Sequence, residues 1–166
     1  MKRENDGAHG SRNAPPSDLC DYAAWAITSD LDKMLSHIRE VQQNEDTEPV
    51  HDMRVASRRT RAALELFELC FSEPDYARLE RRVKKVTDVL SAARDLDVMQ
   101  ESLTKQMRSL PADQREGLQG FIDQLHARRE EQQKPVEKTL RMLEKQDLKA
   151  RFKTIAVRER RKHRDG

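Results

Sequence analysis

The chain has 166 residues, room for one domain, and a composition of 36% hydrophobic, 37% charged and 4% aromatic residues that supports a single modest core. Five glycines and six prolines are too few for a turn-rich β-protein, which leaves an all-α fold. With 32 Lys and Arg against 30 Asp and Glu the formal net charge is +2, so bulk charge carries no polyanion signal and only the placement of charges can.

Met1 to about Pro16 is polar and reads as a disordered leader. Leu19, Ala23, Ile27, Leu31, Met34, Leu35, Ile38 and Val41 then keep a three-to-four spacing, which predicts one long amphipathic helix. It gives way at Asn44–Glu48, where Thr47 or Glu48 can cap and Pro49 suits the first turn of a second helix running to about Phe71. Ser72 as N-cap, with Asp75 three residues on, opens a third helix through Leu79, Val83, Val86 and Leu90 to about Leu103. After the break at Leu110-Pro111, a fourth carries Leu118, Leu125, Val136, Leu140 and Leu143.

Short connections make neighbouring helices antiparallel, so residues 17–148 are expected to form a four-helix up-down bundle, followed by a basic tail over 149–166, helical or frayed. Its core would be Leu, Val, Ile, Ala and Met, with Trp25 and the four Phe as the large pieces. No internal repeat is evident. Cys20 and Cys70 lie far apart in a composition of intracellular type, and no apolar run reaches the length of a signal segment or membrane span; the expectation is a soluble cytoplasmic protein.

The charges are sorted along the chain. Residues 17–48 hold two basic and eight acidic residues, 78–94 six basic and two acidic, and 149–166 eight basic and two acidic. On the second helix, at about 100° per residue, Met53, Ala56, Thr60, Ala63, Leu64, Phe67 and Phe71 make the core side, while His51, Arg54, Arg58 and Arg61 fall within an arc of about 80° opposite. Like charges so placed cost roughly 0.2–0.5 kcal/mol per pair, and either carboxylates of the acidic first helix or a bound polyanion would offset that. On the third helix Arg78, Arg81, Lys84 and Lys85 share the side away from Leu79, Val83, Val86 and Leu90. Two such faces side by side make a groove suited to a linear chain of phosphates, and the planar guanidinium fork binds phosphate oxygens in pairs. His51, in a first turn where the dipole favours anions, is either a neutral surface or capping histidine or a donor to phosphate. Arg129 falls on the apolar face of the fourth helix with Val136 and Leu140, where it can snorkel, pair with a buried carboxylate, or join the other arginines as a minor contributor.

The run Val50-His51-Asp52-Met53-Arg54-Val55-Ala56-Ser57-Arg58-Arg59-Thr60-Arg61-Ala62-Ala63-Leu64, followed by Ala93-Arg94-Asp95-Leu96-Asp97-Val98, resembles the CHAD family, the conserved-histidine α-helical domains. The family pattern of His-Asp-Met-Arg-Val, Arg-Arg and Ala-Arg-Asp-Leu-Asp is matched residue for residue, and the resemblance extends from about Leu19 to Arg151. It implies a helical domain that binds inorganic polyphosphate through a basic surface or pore, without catalysis of its own and in association with polyphosphate granules. Carried over by position, His51, Arg54, Arg58 and Arg61 contact phosphate, with Arg59, Arg81, Arg82, Lys84, Lys85 and Arg94 as neighbours. Members of the family usually enclose the channel between two four-helix halves and this chain supplies material for the first, so a homodimer or an open basic face is expected.

Three rival functions compete with this one. A nucleic-acid binder draws on Arg158–Arg164 but lacks aromatic stackers and any reading motif. An enzyme acting on phosphoanhydrides would need a glycine-rich phosphate loop, a metal cluster or an activated nucleophile, and a purely structural adaptor leaves the charge sorting unused. Asp95 and Asp97, two apart on a helix, diverge too far to share one metal ion, and Glu48-Pro49-Val50-His51 matches a di-iron Glu-x-x-His without a second copy. No metal and no cofactor are expected.

Overall fold

The structure is a computed structural model that describes residues 19–164, with side chains to Ala156. The expected leader over 1–16 lies outside the described residues. The chain is all-helical there: α1 (Leu19–Ser36), α2 (Ile38–Gln43), α3 (Glu48–Leu66), a 3₁₀ turn (Glu68–Cys70), α4 (Glu73–Met107), α5 (Ala112–Gln146) and α6 (Leu148–Arg164).

The expected first helix is divided at His37 (φ −85°, ψ −4°), where the Ser36 hydroxyl donates to the Lys33 carbonyl at 2.8 Å and competes with the helical ladder. Asn44 ends α2 in the left-handed region (φ 54°), which its short polar side chain tolerates. Thr47 stands at the N-cap of α3, but the capping acceptor is Asp46, whose Oδ1 takes the Glu48 N–H at 3.2 Å. Ser72 caps α4 with extended backbone; its hydroxyl donates to Asp75 Oδ2 at 2.8 Å, and its carbonyl accepts from the Asp75 and Tyr76 amides. Asp147 (φ 40°) turns the chain from α5 into α6, and its Oδ1 accepts from the Ala150 amide at 3.0 Å.

α3 packs between α1 and α4, α4 packs on α5, and α2 bridges α3 and α5. The core gathers Ile27, Leu31, Met34, Val50, Met53, Leu64, Leu79, Val86, Leu90 and Leu140. The stretch from Lys149, expected as a tail, joins that core: α6 lies against α1 and buries Leu148, Phe152, Ile155 and Ala156. Their spacing of four, three and one puts them on one side of a helix whose other side is cationic, and the charge density hides the period. Trp25, expected inside, is 37% exposed and Phe121 is also exposed; Phe152 is the large aromatic core residue, while Phe67 and Phe71 pack at its edge. Among the described residues no helix is long and apolar enough to cross a membrane.

Cys20 and Cys70, distant in sequence, are joined in a disulfide with Cα atoms 5.3 Å apart. The bridge ties the first turn of α1 to the 3₁₀ turn. Such bridges persist in oxidising surroundings, so the redox state of this pair bears on the compartment more directly than composition does. Closing a loop across 50 residues contributes about 4 kcal/mol. Reductant, or Cys20→Ser with Cys70→Ser, should therefore lower the Tm by roughly 10 °C in thermal unfolding followed by circular dichroism. An unchanged Tm would mean that the bridge contributes nothing.

Candidate functional site

The α3–α4 pair is antiparallel, and its register is fixed by polar contacts along the seam. Arg61 Nη2 lies 3.3 Å from Glu80, the Thr87 and Ser57 hydroxyls are hydrogen-bonded at 3.0 Å, and Arg54 Nε donates to Ser91 Oγ at 3.0 Å. Each step down α3 is matched by a step up α4, which sets His51 level with Arg94 and Arg58 level with the turn containing Lys84 and Asp88. Ser57 and Thr60 are buried between the helices, each donating to a carbonyl of its own helix, Arg54 and Ala56.

Within the chain the arginine ladder meets one carboxylate. The carboxylate that meets it is Glu80 of α4, opposite Arg61, and the partner of Arg54 is the neutral Ser91. Acidic α1 is engaged elsewhere: Asp30 pairs with Lys33 at 3.8 Å, and Asp32 with Lys149 of α6. Among the described residues Arg58, Arg59, Arg81, Lys84 and Lys85 are exposed with no carboxylate at ion-pair distance. Arg94 is drawn inward, 16% exposed, against Glu101 at 3.3 Å.

A second convergence of cations was not legible in the sequence. Burial, then the nearby guanidiniums of Arg151 and Arg78, hold Arg82 below the ordinary arginine value. Arg78 retains Asp75 at 3.9 Å, but Arg82 and Arg151 have no carboxylate partner among the described residues. Arg151 was hidden because α6 read as a tail; the period of Leu148, Phe152 and Ile155 is the signal that brings it to the domain.

Arg129 is not part of this face. It is 7% exposed, and its Nε donates to Asp97 Oδ1 at 2.7 Å, its Nη1 to Gln133 at 3.1 Å and its Nη2 to Asn44 at 3.1 Å. Gln133 in turn donates to the Val41 carbonyl at 3.0 Å, so one network joins α4, α5 and the end of α2. The apolar period placed Arg129 correctly on the inner face, and the carboxylate it needed there is Asp97. Asp95 is exposed while Asp97 is committed to Arg129, so the Asp-x-Asp pair makes no common site.

His51 occupies the first turn of α3 with its ring half-buried. Glu48, His51 and Asp52 each offer a ligand atom within 4.8 Å of the others, the grouping among the described residues that could hold a cation. Both carboxylates are exposed and the arginine ladder begins at Arg54, which works against a bound metal ion.

Fold and site together define an all-helical domain with a cationic face on adjacent antiparallel helices. A family model of the CHAD domain matches residues 26–165, and the chain belongs to that family. Comparison with curated proteins finds no significant match.

Proposed function

We infer that the chain binds inorganic polyphosphate through the α3–α4 face and does so without catalysis. The observation that carries this reading is the set of exposed cations without carboxylate partners, Arg58, Arg59, Arg81, Lys84 and Lys85, on adjacent antiparallel helices. A helical protein whose charges only solubilised it would intersperse the two signs and pair them at helical spacing, as Glu137 and Arg141 do at 2.7 Å on α5. A line of fixed guanidiniums complements a linear chain of phosphates, each of which carries charge and paired oxygens.

In this reading α1–α2, α3, α4 and α5 act as an antiparallel up-down bundle that holds the face rigid. The buried Ser57 and Thr60 hydroxyls are bonded to carbonyls and offer no nucleophile to a bound phosphate. One copy leaves the face open to solvent, and two copies about a two-fold axis would enclose it. A cytoplasmic location at polyphosphate granules belongs to the same reading, and it requires that the Cys20–Cys70 pair stand reduced there.

The test is a competition titration of long-chain polyphosphate against single- and double-stranded DNA at equal phosphate concentration, repeated across a range of salt. Polyphosphate binding that DNA does not displace supports the fitted face, and the salt slope counts the ion pairs. Equal displacement by DNA turns the face into an unspecific basic surface. On the same assay His51→Ala should weaken polyphosphate binding by about 1–2 kcal/mol, the worth of one charge-assisted hydrogen bond, with an unchanged helical spectrum. Misfolding of that variant would assign His51 a structural role instead.

A further inference from the structure

Large apolar side chains crowd the surface at the end of the domain where α1 begins and α3 finishes. Leu69 is 88% exposed, Leu66 75% and Leu19 63%, beside the half-exposed Tyr22 and Trp25. They are neighbours: the Tyr22 ring lies 5.6 Å from Trp25 and 5.9 Å from Phe67, and the Cys20–Cys70 bridge holds the residues after Leu19 and Leu69 together. Monomeric proteins rarely leave such groups contiguous unless the surface is used.

The rim on the α3 side is acidic: residues 62–77 hold Glu65, Glu68, Glu73 and Asp75 and no Lys, Arg or His, and Glu65 and Glu68 are exposed. Burial and then Glu68, Glu80 and Glu65 raise the Tyr76 hydroxyl above the ordinary tyrosine value, with Arg61 as the opposing charge. A negative field over an apolar patch repels nucleic acid and anionic headgroups, and it complements a segment that offers aliphatic side chains and Lys or Arg together.

We propose that the patch of Leu19, Tyr22, Trp25, Leu66 and Leu69, rimmed by Glu65 and Glu68, docks a cationic amphipathic helix of a partner protein. Apolar anchors settle between Tyr22 and Leu66, and lysine or arginine side chains reach the glutamates.

Trp25 is the chain's one tryptophan and sits in the patch. Its emission reports a titration of the full chain with a short tryptophan-free helix of leucine and lysine. The expected result is a saturable shift to shorter wavelength. Leu66→Ser with Leu69→Ser should weaken that binding about a hundredfold, both side chains being outside the core. Glu65→Gln with Glu68→Gln should weaken it about tenfold at low salt. Far-UV circular dichroism verifies that each variant is folded. No shift in the wild type, or a leucine double variant that titrates like the wild type, overturns the proposal. So does light scattering showing a dimer that the leucine variant dissociates, which makes a second copy the occupant, or a larger shift with phosphatidylcholine vesicles than with the peptide, which makes it a lipid surface.

Discussion

Asp97→Ala is expected to cost about 3–5 kcal/mol of stability, because it leaves the buried Arg129 guanidinium without its counter-charge. The interior cannot hydrate that charge, and the remaining partners Gln133 and Asn44 are neutral. The pair itself need not be stabilising: bringing two ions out of water costs nearly what their attraction returns, and Asp97 Oδ2 is buried without a hydrogen-bond partner. Asp97→Leu combined with Arg129→Met should therefore recover most of the loss. Urea unfolding of Asp97→Leu, of Arg129→Met and of the double variant separates the cases. Losses that simply add would mean that Asp97 and Arg129 act independently, against the 2.7 Å contact. The network also bonds to Asn44 and Val41 at the end of α2, so the single variants should loosen that end before global unfolding, visible as faster amide exchange there.

Arg54→Glu with Arg58→Glu is expected to abolish polyphosphate binding while the helical spectrum stays as it is. An exposed ion pair at contact distance is worth about 1 kcal/mol in water, and reversing a charge changes its contribution by about twice that. Two reversals then amount to about 4 kcal/mol, or about a thousandfold at low salt. The salt slope should fall by the two contacts removed, which separates loss of ion pairs from loss of shape. Arg58 is exposed and Arg54 has Ser91 as its partner, so the fold does not rest on either charge. Affinity within a few-fold of the wild type would remove the ladder from the site and leave the convergence of Arg82, Arg78 and Arg151 as the place to look.

The division at His37 and the packing of α6 were not legible in the sequence, whereas helices α3, α4 and α5, the breaks at Asn44–Glu48, Ser72 and Leu110-Pro111, and the outward side of α3 were. Each depends on a local rule: the helical period of Met53, Ala56, Thr60 and Leu64, the caps and the prolines act within a few residues of themselves. The same projection put His51, Arg54, Arg58 and Arg61 on one side, because angular position on a helix needs no knowledge of neighbours. The CHAD motif carried the family for the same reason, being two local strings. Local pattern could not say which carboxylate meets which cation. Glu80 rather than α1 faces Arg61, Asp97 holds Arg129, Arg151 comes to Arg82, and Cys20 reaches Cys70. These pairings lie 19, 32, 69 and 50 residues apart, and they follow from the register of packed helices. A charge or a thiol carries no mark of its partner: Coulomb attraction and bond formation act on distance in space, and only the assembled core, closed by α6 through Phe152 and Ile155, sets that distance.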